Sequence, residues 1–333
     1  MGVYTSKVAL LGNIVDYAGT FPPAALPLEA ALHEAATCRD ELRHPWLYSK
    51  MALPMNLLTT LSAKLLSDQG SNGTPWLFTA LGTPIPENSN RDEFARVVEW
   101  DLRELGRFND RGFESSGRHW AIAYETKLPV EAVKANTASE ILKFLEPALV
   151  RFSAVRPSVT AYFEVPLDSP QGDTLVRLVA DALCEWTTDH ETLPTPGIKI
   201  RTGGKVLPSA ESLASAVIAC TSRRLRFKAT QGLHHAISGK SGFGFVNLFS
   251  SLALAQALGE EAFGPSQVEK CLQSTSTLEF QFLPNSFRWN SFEIEVEALE
   301  AARRLHGASF GSCSIKEPDE FLATEFPDGE DDS

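Results

Sequence analysis

Two short segments carry the residue types with the most chemical content. They are Gly197-Ile198-Lys199-Ile200-Arg201-Thr202-Gly203-Gly204 and Leu225-Arg226-Phe227-Lys228-Ala229-Thr230-Gln231-Gly232-Leu233-His234-His235. Each reads as a short strand ending in glycine. Side chains alternate along a strand, so Lys199 and Arg201 share one face while Ile198 and Ile200 take the other. The same rule groups Arg226, Lys228 and Thr230 against Phe227 and Ala229. A parallel sheet covered by helices is apolar on both faces, so a row of cations needs somewhere wet or chemically occupied to point. The interior mouth of a closed barrel is such a place. Two ammonium groups held close together disfavour each other's charge, and burial disfavours it further, so one of Lys199 and Lys228 is expected to be neutral near pH 7. A neutral amine can attack a carbonyl and form a Schiff base. Arg201 beside it suits bidentate recognition of a carboxylate or phosphate.

Elements able to position these residues recur along the whole chain. Strand-like runs are 11–18, 46–53, 76–82, 120–125, 159–165, the two segments above, and 286–290. Helical patterns fall between them at 28–43, 92–108, 138–152, 174–186 and 209–221, with an apolar helix from about Phe245 to Leu258 and a last one over 292–305. Eight strands, each followed by a helix, is the count of a (β/α)8 TIM-type barrel, an α/β fold of parallel strands alternating with helices. A doubly wound open sheet is the alternative. No linker interrupts the pattern, which predicts one barrel domain over 1–320 and an acidic, disordered tail over 321–333.

Barrel enzymes work at the C-terminal ends of their strands and in the loops beyond. Polar residues at those positions are Asp16, Lys50, Glu125, Glu164, Lys199, Arg201, Lys228, His234, His235 and Asn290. From them we expect catalytic roles for Lys199, Lys228, Glu125, Glu164 and His234. Substrate or anion contacts are expected from Arg201, Gly203, Gly204, Thr230, His235, Asn290 and Asp16. The bland alternative is an interior ion-pair network of the two lysines with Glu125 and Glu164 that fills the barrel and does nothing else. The loop 238–244 contains Gly239-Lys240-Ser241, but the upstream glycine of a Walker motif falls on His234, so it is not one. A glycine-rich loop entering a helix can nonetheless hold phosphate on backbone N–H groups.

Composition excludes several classes. The net charge of -12 and pI near 5.1 argue against nucleic acid as the main partner. Five scattered cysteines without a CxxC pair argue against a disulfide framework or a zinc knuckle. No apolar run approaches the ~20 residues of a membrane span, so no membrane partner is expected and the chain reads as cytoplasmic. Cys313 reads as a structural thiol near the barrel rim.

The strand-six and strand-seven lysines, each followed by a Thr- and Gly-containing turn, resemble class I aldolases of the deoxyribose-phosphate type. In that family the strand-six lysine forms the Schiff base and a second lysine stands on strand seven. Arg201 and the double histidine depart from its pattern. Four longer segments make the chain similar to a family of uncharacterised, mostly bacterial proteins. These are Asp16-Tyr17-Ala18 with Phe21-Pro22-Pro23, Lys199-x-Arg201-x-Gly203-Gly204, Phe227 to His235, and Gly311-Ser312-Cys313-Ser314 with Glu317-Pro318. That similarity implies no activity.

The function expected is a lyase or aldolase-like enzyme for a small anionic carbonyl metabolite, without cofactor. One alternative is a metal-dependent barrel that uses carboxylates and histidine. The other is a barrel that binds a metabolite or protein without turnover. Homo-oligomerisation is left open.

Overall fold

The computed structural model describes residues 5–69, 74–86, 89–114, 118–155, 158–167, 171–190, 195–204 and 206–328. Its strands in chain order are β1 (Val15–Tyr17), β2 (Tyr48–Pro54), β3 (Trp76–Leu81), β4 (His119–Lys127), β5 (Thr160–Glu164), β6 (Gly197–Arg201), β7 (Arg226–Thr230), β8 (Phe280–Phe282), β9 (Ser286–Trp289), β10 (Phe292–Glu295) and β11 (Ser309–Ser312). Eight of these, all parallel, close into a barrel in the order β1-β11-β7-β6-β5-β4-β3-β2. The expected TIM-type architecture is therefore present. Closure comes from β1 pairing with β11, Val15 against Phe310 and Tyr17 against Ser312.

The helices between strands fall close to where apolar spacing predicted them. Ala138–Ala154 buries Ile141, Phe144, Leu145, Ala148, Leu149 and Phe152, a three-and-four spacing that keeps one stripe against the barrel. Its start is fixed by Thr137, whose hydroxyl accepts the Glu140 N–H at 3.2 Å, while Glu140 accepts the Asn136 N–H at 2.9 Å. Phe245–Leu258 is buried over most of its surface, as its mainly apolar sequence requires, and Asn247, Ser250 and Ser251 are buried with it.

The eighth barrel strand is a correction. The expected segment, Ser286–Trp289, lies outside the barrel at the centre of a three-stranded antiparallel sheet, β10-β9-β8. Phe292–Glu295 pairs back on it across a two-residue turn, Asn290-Ser291, so the last helix begins at Val296 rather than 292. Asn290 adopts a positive φ of 52°, the conformation that such a hairpin turn demands and that asparagine tolerates. The eighth barrel position belongs to Ser309–Ser312, which follows the left-handed cap Gly307.

The segment expected to be a tail from 321 is helical to Glu325, and Phe326 is buried. Lys7, 1% exposed, donates to the Phe326 carbonyl at 2.7 Å and to Asp328 Oδ1 at 2.6 Å. Residues 329–333 lie outside the described residues. No helix among the described residues is long and apolar enough to cross a membrane.

Candidate active site

Strand register decides whether the two lysines meet. Lys199 on β6 stands directly opposite Lys228 on β7, and both side chains point into the barrel. A carboxylate from across the barrel stands between them. Glu125 on β4 meets Lys199 Nζ at 2.7 Å through Oε2 and Lys228 Nζ at 2.6 Å through Oε1. On one side the chain of charges continues through Glu164, whose Oε2 lies 3.0 Å from Lys199 and whose Oε1 accepts from Arg201 Nε at 2.8 Å. On the other, Lys228 donates to Asp16 Oδ2, and Asp16 Oδ1 accepts from Lys50 Nζ at 2.8 Å. Seven charges thus alternate in sign across the barrel: Lys50, Asp16, Lys228, Glu125, Lys199, Glu164, Arg201.

Neutral groups complete the floor. The Ser309 hydroxyl donates to Asp16 Oδ2 at 3.1 Å, and Thr79 lies 3.4 Å from both Asp16 and Lys228. Lys228 also stands 5.7 Å above the Tyr162 ring, in range of a cation–π interaction. Buried charge of this density is tolerable only because each group has an opposite neighbour.

That alternation changes the expected protonation. Burial alone disfavours charge on Lys199 and Lys228. However, Glu125 with Glu164 outweighs burial at the first, and Asp16 with Glu125 outweighs it at the second, so both amines lie above the ordinary lysine range. The mutual depression expected from their adjacency does not occur, because a carboxylate separates them. Burial and Lys228 instead push Lys50 down, against the pull of Asp16. The same ammonium groups hold Asp16 and Glu164 below the usual carboxylate range and Glu125 at about 2, each against the cost of burial.

Above this layer opens a cavity of about 560 Å³. Its polar side comes from Glu125, Lys199, Arg201, Lys228 and Thr230. Its opposite side, formed where β1, β2 and β3 end, is Ala18, Phe21, Pro22, Pro23, Ala52 and Leu81. Gly203, Gly204 and His234 also line it. A Cβ on Gly203 would lie 2.6 Å from the Gly232 Cα, so the turns after β6 and β7 touch backbone to backbone only because both residues are glycine.

Other expected residues are placed elsewhere. Asp16 lies beneath the cavity, fully buried, and reaches it only through Lys228. His235 turns toward the C-terminal helix, its ring 4.0 Å from that of Phe321 and tilted 52° to it, and faces Glu325 at 3.7 Å. His234 pairs with Glu317 at 3.0 Å. Asn290 sits in the hairpin turn of the separate sheet and donates to Glu279 at 3.1 Å. The 238–244 loop contributes Ser241 to the cavity wall. The helix it enters spends its first N–H groups internally: Phe245 donates to the His235 carbonyl, Val246 to that of Ala236, and Gly244 to Ser238 Oγ. Cys313 lines the cavity from the turn after β11, with burial pushing its thiol up.

Comparison with protein-family models and with curated proteins finds no match. Three solved structures show a likeness in outline. QR15, an aldolase, is 12% identical at a TM-score of 0.43, covering 68% of this chain and 83% of its own. A protein from Toxoplasma gondii ME49 assigned as a deoxyribose-phosphate aldolase is 12% identical at 0.45, covering 80% and 90%. A D-psicose 3-epimerase crystallised in the presence of D-fructose is 8% identical at 0.42, covering 95% and 100%.

Lys50, Thr79 and Ser309 complete the charged floor without having been assigned a role from sequence. Lys50 was visible as a polar residue in an apolar strand, a signal strong enough to find it. Ser309 was hidden because its strand went unrecognised. Among the described residues no group of three or more histidine, cysteine, aspartate or glutamate side chains is arranged to hold a metal ion. The three core carboxylates instead hold ammonium and guanidinium groups.

Proposed function

We propose that this chain is an aldolase-like lyase that binds a small anionic carbonyl compound covalently through Lys199. The observation that carries this reading is Glu125, shared between Lys199 and Lys228 beneath an open cavity. Lys199 is the better nucleophile of the two by position. It is 6% exposed and fixed by the side nearest the mouth, whereas Lys228 is 1% exposed and boxed in by Asp16, Glu125, Thr79 and Tyr162.

The resting amine is protonated, so attack begins with transfer of one proton from Lys199 Nζ to Glu125 Oε2, 2.7 Å away. The neutral amine adds to the carbonyl carbon, and one of its two remaining protons passes from the nitrogen to the oxygen, giving a carbinolamine hydroxyl. A second proton, returned by Glu125, lets that hydroxyl leave as water. Ammonium and carbonyl are thereby converted to iminium and water with no net change in charge. Glu125 and Glu164, which stabilise the ammonium, therefore also stabilise the iminium. The iminium then draws in the electron pair of the bond between the α and β carbons and becomes an enamine, while the β-hydroxyl gives its proton to Glu125, ionised again by then, and turns into the carbonyl of the departing fragment. Lys228 keeps Glu125 a weak enough base to return its proton. Arg201 is placed to hold the anionic group of the substrate.

The raised amines also favour a second reading, a barrel that binds its ligand by charge alone. Lys199 lies above the ordinary lysine range because Glu125 and Glu164 outweigh burial, so releasing its proton is part of any barrier to Schiff-base chemistry. Borohydride reduction in the presence of a panel of aldehydes, ketones and oxo acids, read by peptide mass spectrometry, separates the two. A reduced adduct on Lys199, absent in Lys199→Arg, supports the lyase. Saturable binding with no adduct on any lysine supports the binding barrel and ends the covalent reading.

A further inference from the structure

We infer that the ligand of this cavity is an oxo carboxylate with a single negative charge and an apolar body. The inference rests on the proposed site, in that the carbonyl is taken to meet Lys199, and it adds the class of compound. Three features of the cavity point to it.

The first is charge. The buried chain holds four cations (Lys50, Lys228, Lys199, Arg201) against three carboxylates (Asp16, Glu125, Glu164), leaving one positive charge uncompensated. Arg201 is where that charge is free to act. Its side chain is 48% exposed, its Nε is used by Glu164, and it lines the cavity. The neighbouring histidines are already paired with Glu317 and Glu325. One surplus charge matches a monoanion. A phosphate dianion would seek further donors, and the N–H groups of Gly244, Phe245 and Val246 at the adjacent helix start are occupied.

The second is spacing. Lys199 Nζ and Arg201 Nε bind the two oxygens of one carboxylate, Glu164. Amine and guanidinium therefore flank one carboxylate at the cavity, so a carbonyl at Lys199 and an anion at Arg201 can belong to a single small molecule.

The third is the far wall. Ala18, Phe21, Pro22, Pro23, Ala52 and Leu81 offer no hydrogen-bonding side chain, and the cavity of about 560 Å³ greatly exceeds a three-carbon acid. Apolar surface of this extent gains by covering hydrocarbon, while the polar side chains of the lining, Thr230, Gln231, His234, Ser241 and Ser312, lie elsewhere on it.

Calorimetric titration of the full chain with phenylpyruvate, pyruvate and glyceraldehyde 3-phosphate, followed by borohydride reduction of the same samples, tests the inference. Phenylpyruvate is expected to bind about 10- to 100-fold more tightly than pyruvate, from burial of its ring. It should also bind at least about 10-fold more tightly than glyceraldehyde 3-phosphate. Arg201→Met should weaken phenylpyruvate about 10-fold or more, and Arg201→Lys less, because the charge remains and the fork is lost. Preference for the phosphorylated aldehyde, equal affinity for the two oxo acids, or indifference to Arg201→Met overturns the inference, even if an adduct forms on Lys199. The expected binding order without any reduced adduct leaves the inference standing and removes the covalent mechanism.

Discussion

Replacing Glu125 with glutamine keeps the size of the side chain and removes the one charge that both active lysines share. Its carboxyl falls from an ordinary 4.5 to about 2 in the folded protein, with burial opposing and Lys199 and Lys228 driving the fall. A group whose folded pKa is depressed contributes stability above its unfolded pKa and loses that contribution as pH drops through the folded value. The depression corresponds to about 3 kcal/mol at pH 7, with no discount for solvent because Glu125 is fully enclosed. At pH 5 the contribution is still about 3 kcal/mol, and at pH 3 about 1 kcal/mol. Lys199 retains Glu164 and Lys228 retains Asp16, so the variant should fold. Urea unfolding of both proteins at pH 7, 5 and 3 should show Glu125→Gln less stable by those amounts, the gap narrowing only at the acid end. A gap below about 1 kcal/mol at pH 7, or one that is constant to pH 3, would refute the assignment of Glu125 as the carboxylate that balances the two amines.

Other perturbations reach different parts of the same framework. Lys228→Met leaves Asp16 and Glu125 each one cation short in a buried setting, and should cost about 3–5 kcal/mol by chemical denaturation; a loss under 1 kcal/mol contradicts the pairing. Gly203→Ala places a methyl group against the Gly232 backbone, and should cost about 1–3 kcal/mol while weakening ligand binding in the cavity. Unchanged stability and affinity in that variant would show that the two turns need not touch. Asp319 accepts the N–H groups of Arg43 and His44 at 3.0 and 2.8 Å and lies below the usual carboxylate range against the cost of burial. Asp319→Asn should therefore lower thermal stability at pH 7 and make less difference as pH falls below the usual aspartate range. Asn290→Gly should be neutral and Asn290→Val destabilising by about 1 kcal/mol, since only the second resists the positive φ of the hairpin.

Much of the barrel is legible in the sequence because its helices and strands carry different apolar periods. The 138–154 helix announces itself by spacing and the 245–258 helix by its predominantly apolar character. The pairing of Lys199 with Lys228 follows from two strands of equal length that each place lysine third. What resisted reading is short or locally ambiguous. Ser309-Phe310-Gly311-Ser312 has a single large apolar residue, and small side chains are what a strand closing a crowded barrel against Asp16 can accommodate. Ser286–Trp289 alternates like a barrel strand because one face packs on the helices, and only the Asn290 turn distinguishes a hairpin from a crossover. The protonation of the lysines was not readable at all. Adjacency predicts depression, and the reversal depends on Glu125 reaching across from β4, a contact between residues 74 and 103 positions apart in sequence.

The pairing of β1 with β11 has a consequence for how the protein is made. Because the first and last staves of the barrel are neighbours, Asp16 gains its Ser309 partner only after residue 309 has left the ribosome. Until then no strand joins β1 to β7, and the seam is open. The clasp of Lys7 on Phe326 and Asp328 completes still later. A ribosome stalled before residue 309 should therefore display that seam to proteases.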